Sequence, residues 1–132
     1  MSAASRKGAA FETLIVDGLK ARLNDDRIER RTKNGTRDRG DVTGMKAIRG
    51  GRIVLELKNH KTFELGKWWD EAQVERGHDD ATVAAVVFKR PRITDPMQQY
   101  VLMDVETLCR LVEGGPGLDD LLTPDTHTEV TS

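Results

Sequence analysis

Two short runs hold the residues of this chain whose types and spacing could do chemistry. Arg39-Gly40-Asp41-Val42-Thr43-Gly44 carries one acid, and Ile53-Val54-Leu55-Glu56-Leu57-Lys58 carries an acid and an amine two residues apart. In the second run Ile53, Leu55 and Leu57 alternate with Val54, Glu56 and Lys58. A strand has a side-chain period of two, so Glu56 and Lys58 share a face. Between the runs lies Arg49-Gly50-Gly51-Arg52, whose Gly-Gly signals a hairpin turn. Closing that hairpin can set Asp41 beside Glu56, with Lys58 one step further along. Two carboxylates suit a hard cation, and an amine beside them suits a phosphate. The chemistry this predicts is metal-dependent phosphodiester hydrolysis. A solvated hairpin face with an ordinary Glu–Lys pair is the plainer alternative.

A third acid comes from the helix expected over about Lys7 to Leu23, whose apolar stripe is Phe11, Leu14, Ile15, Gly18, Leu19 and Leu23. Glu12 lies on the border of that stripe, with Ile15, Val16 and Leu19 at i+3, i+4 and i+7. A buried carboxylate requires a cation or strong donors. It is therefore either a metal-site residue or a border residue reaching for water.

The remaining elements must position these groups. Arg27 to Arg31 reads as a short strand, and Thr32 to Arg39 as a basic, glycine-containing loop. Asp41 to Ile48 and Arg52 to Lys58 form the hairpin. Lys67 to Gly77 reads as a second helix, in which the adjacent Trp68 and Trp69 face different ways, so at least one belongs to the core. Gln73 also lies on that helix. Thr82 to Phe88 is continuously apolar, as expected of a strand buried on both faces. Gln99 to Met103 reads as a last strand, and Asp104 as the N-cap of a helix through Val112. The order is α, three strands, α and a buried strand, which implies a mixed sheet with helices packed on it.

A chain of 132 residues supports one domain with a modest core. No apolar run approaches membrane-spanning length, and no signal-peptide stretch opens the chain, so no membrane partner is expected. The single cysteine, Cys109, excludes an intrachain disulfide and fits a reducing cytoplasm. One cysteine and three scattered histidines argue against structural zinc. Net charge is −1, but its distribution is uneven. Residues 1–61 hold fifteen Lys and Arg against eight Asp and Glu, whereas residues 62–132 hold six against fourteen. The basic excess accompanies the candidate acids, which favours a polyanion partner. Lys33, Arg37, Arg39 and Lys61 are candidate contacts to a nucleic-acid backbone.

These residues together resemble the PD-(D/E)XK nuclease superfamily, with Gly40-Asp41 in place of Pro-Asp and Glu56-Leu57-Lys58 as the acid-x-lysine element. The likeness spans roughly residues 6 to 90. Arg6-Lys7-Gly8-Ala9-Ala10-Phe11-Glu12 is similar to the Lys-Gly-x-x-Phe-Glu opening of archaeal-type Holliday junction resolvases. Thr13 departs from that family, which often has Arg straight after the helix Glu. The resemblance implies an α/β restriction-endonuclease-like domain with an α-β-β-β-α-β core over residues 1–113, followed by an acidic, disordered tail over 114–132. It implies catalysis by Glu12, Asp41, Glu56 and Lys58. Mg²⁺, or Mn²⁺ in its place, would be held by Asp41, Glu56, the Leu57 carbonyl and Glu12. Arg6, Lys7, Arg30 and Arg31 would contact DNA, and a homodimer would resolve four-way junctions. A generic phage or restriction-like endonuclease on duplex or flapped DNA would use the same four residues. A non-catalytic nucleic-acid-binding relative is the other alternative.

Overall fold

The computed structural model describes residues 3–31 and 41–115. Helix α1 (Ala3–Leu23) starts earlier than the apolar stripe alone predicts and carries Lys20 and Arg22 in its last turn, where cations favour the helix dipole. It stops at Asn24, which takes a left-handed conformation (φ 51°) that asparagine tolerates. Strands β1 (Glu29–Arg31), β2 (Asp41–Lys46) and β3 (Arg52–Lys58) follow. After them come α2 (Leu65–Asp79), β4 (Val83–Phe88), a 3₁₀ turn over Pro96–Gln98, β5 (Tyr100–Leu102) and α3 (Val105–Val112). Asp104 caps α3 as expected, accepting a bond from the Thr107 amide at 2.8 Å. Hydrogen bonding from the Thr107 side chain, and then from that amide, holds its carboxyl below the ordinary aspartate range.

The five strands lie in sequence order in one mixed sheet, antiparallel throughout except where β3 and β4 run parallel. A parallel pair requires a crossover, and α2 supplies it. Every residue of β4 is buried, because helices cover both faces of the sheet at its position. On one face Phe11, Ile15 and Val16 of α1 pack on Val42, Leu55, Leu57, Ala85 and Val87. On the other, Trp68 and Ala72 of α2 pack on Val54, Ala84, Val86 and Phe88. Trp68 is therefore core, while Trp69 is only half-buried. Among the described residues the chain is α/β, with three α-helices on a five-stranded sheet.

Two glycines are set by close approach. A Cβ at Gly18 would come 2.7 Å from the Pro96 ring, so the missing side chain lets the 3₁₀ turn lie against α1. Gly44 has φ +90°, and a Cβ there would overlap the Arg27 carbonyl oxygen. It sits where the β2–β3 register shifts between Val42 and Met45, a bulge that turns both of those residues toward the α1 side. β2 ends at Lys46, two residues short of Ile48, because Ala47 to Gly50 form the hairpin turn, with the Gly50 amide bonding the Ala47 carbonyl at 2.8 Å. Gly114 and Gly115 bond back to that turn through the Arg49 and Gly51 amides at 2.9 and 2.8 Å. The domain thus continues past residue 113. The rest of the expected tail, 116–132, lies outside the described residues.

Candidate active site

The hairpin sets Asp41 directly across from Glu56, as the Gly-Gly turn predicts, and Arg31 directly across from Asp41. Arg31, Asp41 and Glu56 thus occupy one register row across β1, β2 and β3. Leu55 and Leu57 pack toward α1, which turns Glu56 and Lys58 toward α2. The Glu56 carboxylate is 5 % exposed, and the Lys58 ammonium lies 3.5 Å from its Oε1. Lys58 Nζ also lies 3.1 Å from Oε1 of Glu71, on α2.

Glu71 belongs to a feature that sequence reasoning missed. Glu71, Glu75 and Asp79 recur every four residues along α2 and so line one side of it. Glu75 and Asp79 are buried. Asp79 takes Arg31 as an ion pair, and its carbonyl accepts from Arg52 Nη1 at 2.8 Å. The signal was in the sequence: three acids at i, i+4 and i+8, beside the core residues Trp68 and Ala72. Gln73, by contrast, donates to the Ala84 carbonyl at 3.3 Å and accepts from Arg76 at 3.0 Å, which ties α2 to β4.

Glu12 approaches from the other side. Its carboxylate is 4 % exposed and pairs with the Arg30 guanidinium. Arg30 stands across from Val42, which faces α1, so this pair lies on the face away from Glu56 and Lys58. The structure therefore joins Glu56 and Lys58, places Asp41 at the register position across from Glu56, and sets Glu12 on the α1 side with Arg30. Removing Glu12 would leave the Arg30 cation without this carboxylate. Glu12→Gln should lower stability by about 2 kcal/mol in urea denaturation. A double-mutant cycle with Arg30→Gln should then show strong coupling; additive losses would deny the pair any structural role.

No family model, curated protein or solved structure matches this chain. What the site can do rests on its own geometry. Among the proposed DNA contacts, Arg6, Lys7 and Lys61 are exposed, and Arg30 and Arg31 are half-buried in the pairs just described. Asn59 donates to the Lys7 carbonyl at 3.4 Å, which brings the basic start of α1 to the end of β3. Lys33, Arg37 and Arg39 lie outside the described residues, in a connection that leaves Arg31 and re-enters at Asp41, both members of the charged row. His60 lies with its ring 5.7 Å from Trp68.

The donors near this point are oxygens of the type a hard divalent cation takes. The Lys58 carbonyl accepts from Lys89 on the β4 side of β3 at 3.0 Å. Carbonyls alternate along a strand, so the Leu57 carbonyl faces β2, where Asp41 begins that strand. Glu56, Asp41 and the Leu57 carbonyl thus offer oxygen donors from adjoining positions, the ligand type magnesium takes. Among the described residues no three His, Cys, Asp or Glu side chains converge. The centre thus rests on one described carboxylate, one register position and one backbone oxygen.

Proposed function

We propose that this chain is a Mg²⁺-dependent DNA endonuclease of the PD-(D/E)XK type, with a restriction-endonuclease-like core, that cuts four-way junctions as a homodimer. The observation that carries the reading is the register pairing of Asp41 with Glu56, with the Lys58 ammonium 3.5 Å from Glu56 Oε1. The α-β-β-β-α-β order and the Lys7-Gly8…Phe11-Glu12 opening support it. Asp41, Glu56 and the Leu57 carbonyl would hold the ion. When bound, that ion neutralises charge on the phosphate and makes a water more acidic. The chain's own groups do the rest. Lys58, held between two carboxylates, presents a fixed cation where a phosphate oxygen can meet it. Exposed Arg6, Lys7 and Lys61 supply backbone contacts that place the DNA without reading its sequence.

Labelled four-way junction, replication fork and linear duplex, each incubated with Mg²⁺ and with chelator, test this directly. Junction should be cut first, symmetrically, and only with the metal. Equal cleavage of linear duplex would leave a generic endonuclease, and cleavage of nothing would remove the enzyme.

A further inference from the structure

Where β3 and β4 end and β5 begins, the α2 side of the sheet carries a group of rings that the candidate active site does not use. Buried Phe88 meets Trp68 at 5.8 Å between ring centres, Phe63 at 5.1 Å and Tyr100 at 5.8 Å. Phe63 and Tyr100 are 41 % and 50 % exposed, and their contacts with Phe88 are edge-on rather than parallel. The Arg90 guanidinium lies over the Tyr100 ring, 4.3 Å from its centre. Arg90 is held there: its Nη1 donates to the Gln98 carbonyl at 3.1 Å, and its amide to Oε1 of buried Gln99 at 2.7 Å. The surroundings are basic. Residues 57–63 and 81–94 contain five Lys and Arg and no Asp or Glu. The flanking acids are engaged, Glu64 with Lys67 at 3.8 Å and Asp95 with the Met97 amide at 2.9 Å. Arg92 is exposed in a turn closed by the Ile93 amide on the Arg90 carbonyl at 3.3 Å. Its φ is +65°, a conformation that glycine adopts freely and arginine only at a cost. The turn thus keeps a cation where the backbone alone favours glycine.

We propose that Phe63, Tyr100 and Arg90 form a platform on which the unpaired bases of a DNA strand stack. Every base has a flat π face and every nucleotide a phosphate, so exposed rings set among cations match such a strand in both shape and charge. A duplex keeps its bases stacked on one another, so its interior offers no free face. The position of the rings connects them to the candidate site. Lys58 pairs in register with Phe88, and Phe88 with Tyr100. Lys58 and Tyr100 therefore stand two strand spacings apart, about 10 Å, or roughly three nucleotide steps of a stacked strand. One strand can lay a phosphate at Lys58 and a base on Tyr100. The platform stands on the rings and cations alone; that it holds a strand beside a bond to be cut rests on the functional reading above.

Fluorescence anisotropy of the full-length protein with labelled strands, in chelator, reads binding without cleavage. A single DNA strand should bind more tightly than an abasic strand of the same length, which keeps the phosphates and lacks the bases. Phe63→Leu and Tyr100→Leu keep apolar bulk against Phe88 and remove the ring. Each should weaken the single strand roughly 10-fold and leave the abasic strand unchanged. Arg92→Gly should lower the log–log salt slope by about 0.7, the value of one phosphate contact on a single strand, without lowering the urea midpoint. Circular dichroism checks that each variant folds. If a leucine variant does not fold, the comparison of base-bearing and abasic strands on the unaltered protein decides the matter. Equal affinity for those two strands overturns the proposal, as does full affinity in both leucine variants. Tighter binding of an RNA strand of the same sequence overturns it too, by making RNA the ligand. Base-dependent binding by a protein that cuts no DNA would refute the proposed function and leave the platform standing. Mg²⁺-dependent cleavage by a protein indifferent to bases would do the reverse.

Discussion

Glu56→Ala should reduce Mg²⁺-dependent cleavage by at least about 10²–10³-fold, with DNA binding retained. Glu56 holds the central position of the proposed centre, across from Asp41 and beside Lys58. Removing it takes away a proposed metal ligand and a carboxylate neighbour of the ammonium. Asp41→Ala and Lys58→Ala should act in the same range, because each removes one of the groups proposed to hold the ion or the phosphate. Single-turnover rates on a junction, with binding measured separately in Ca²⁺, distinguish lost chemistry from lost affinity. A Glu56→Ala protein that cuts near the rate of the unaltered chain would remove the basis for reading this as an active site.

The largest effect on folding is expected away from the chemistry, at Gly44. Gly44→Ala should cost about 3 kcal/mol, read as a lower urea midpoint at unchanged slope. Two penalties add. The backbone there has φ +90°, which a residue with a Cβ adopts only with strain, and that Cβ would meet the Arg27 carbonyl. Neither is relieved by rotating a flexible side chain, because the obstacle is main chain. A midpoint within the error of the unaltered protein would mean that β1 and β2 part easily at this bulge. The distinction bears on activity as well, since Gly44 lies three residues along the strand from Asp41.

The succession of elements was legible because each has a local cause. β4 reads as a run of apolar residues, α3 begins at an aspartate that caps it, and Gly50-Gly51 marks the hairpin that pairs Asp41 with Glu56. Less legible were features that depend on which side of the sheet a residue reaches. Glu12 looked equally suited to a metal or to water, and the sequence has no way of stating that Arg30 comes to lie beneath it. Val42 and Met45 are three residues apart, so strict alternation would set them on opposite faces. The bulge at Gly44 returns them to one. The acids of α2 were passed over because Glu71, Glu75 and Asp79 resemble a solvated helical face until the helix is laid on the sheet. Charge counted by halves of the chain hid them as well. The acidic half folds its helix directly over the basic half's row.

On the proposed reading, that arrangement would give the protein a built-in competitor for phosphate. Arg31 and Lys58 already hold the carboxylates of Asp79 and Glu71, on an element fixed in place by Trp68 and Ala72. A tethered partner acts at a high effective concentration, of millimolar order even for a flexible link. A lone phosphate, such as inorganic phosphate or the end of a free nucleotide, must displace that partner with a single contact and gains little. A polyanion that engages several cations in one event can exchange them together and release its own counterions as it does so. If the chain binds DNA as proposed, the carboxylates of α2 would therefore set a threshold that discriminates by the number of phosphates a ligand presents, before any recognition of its shape.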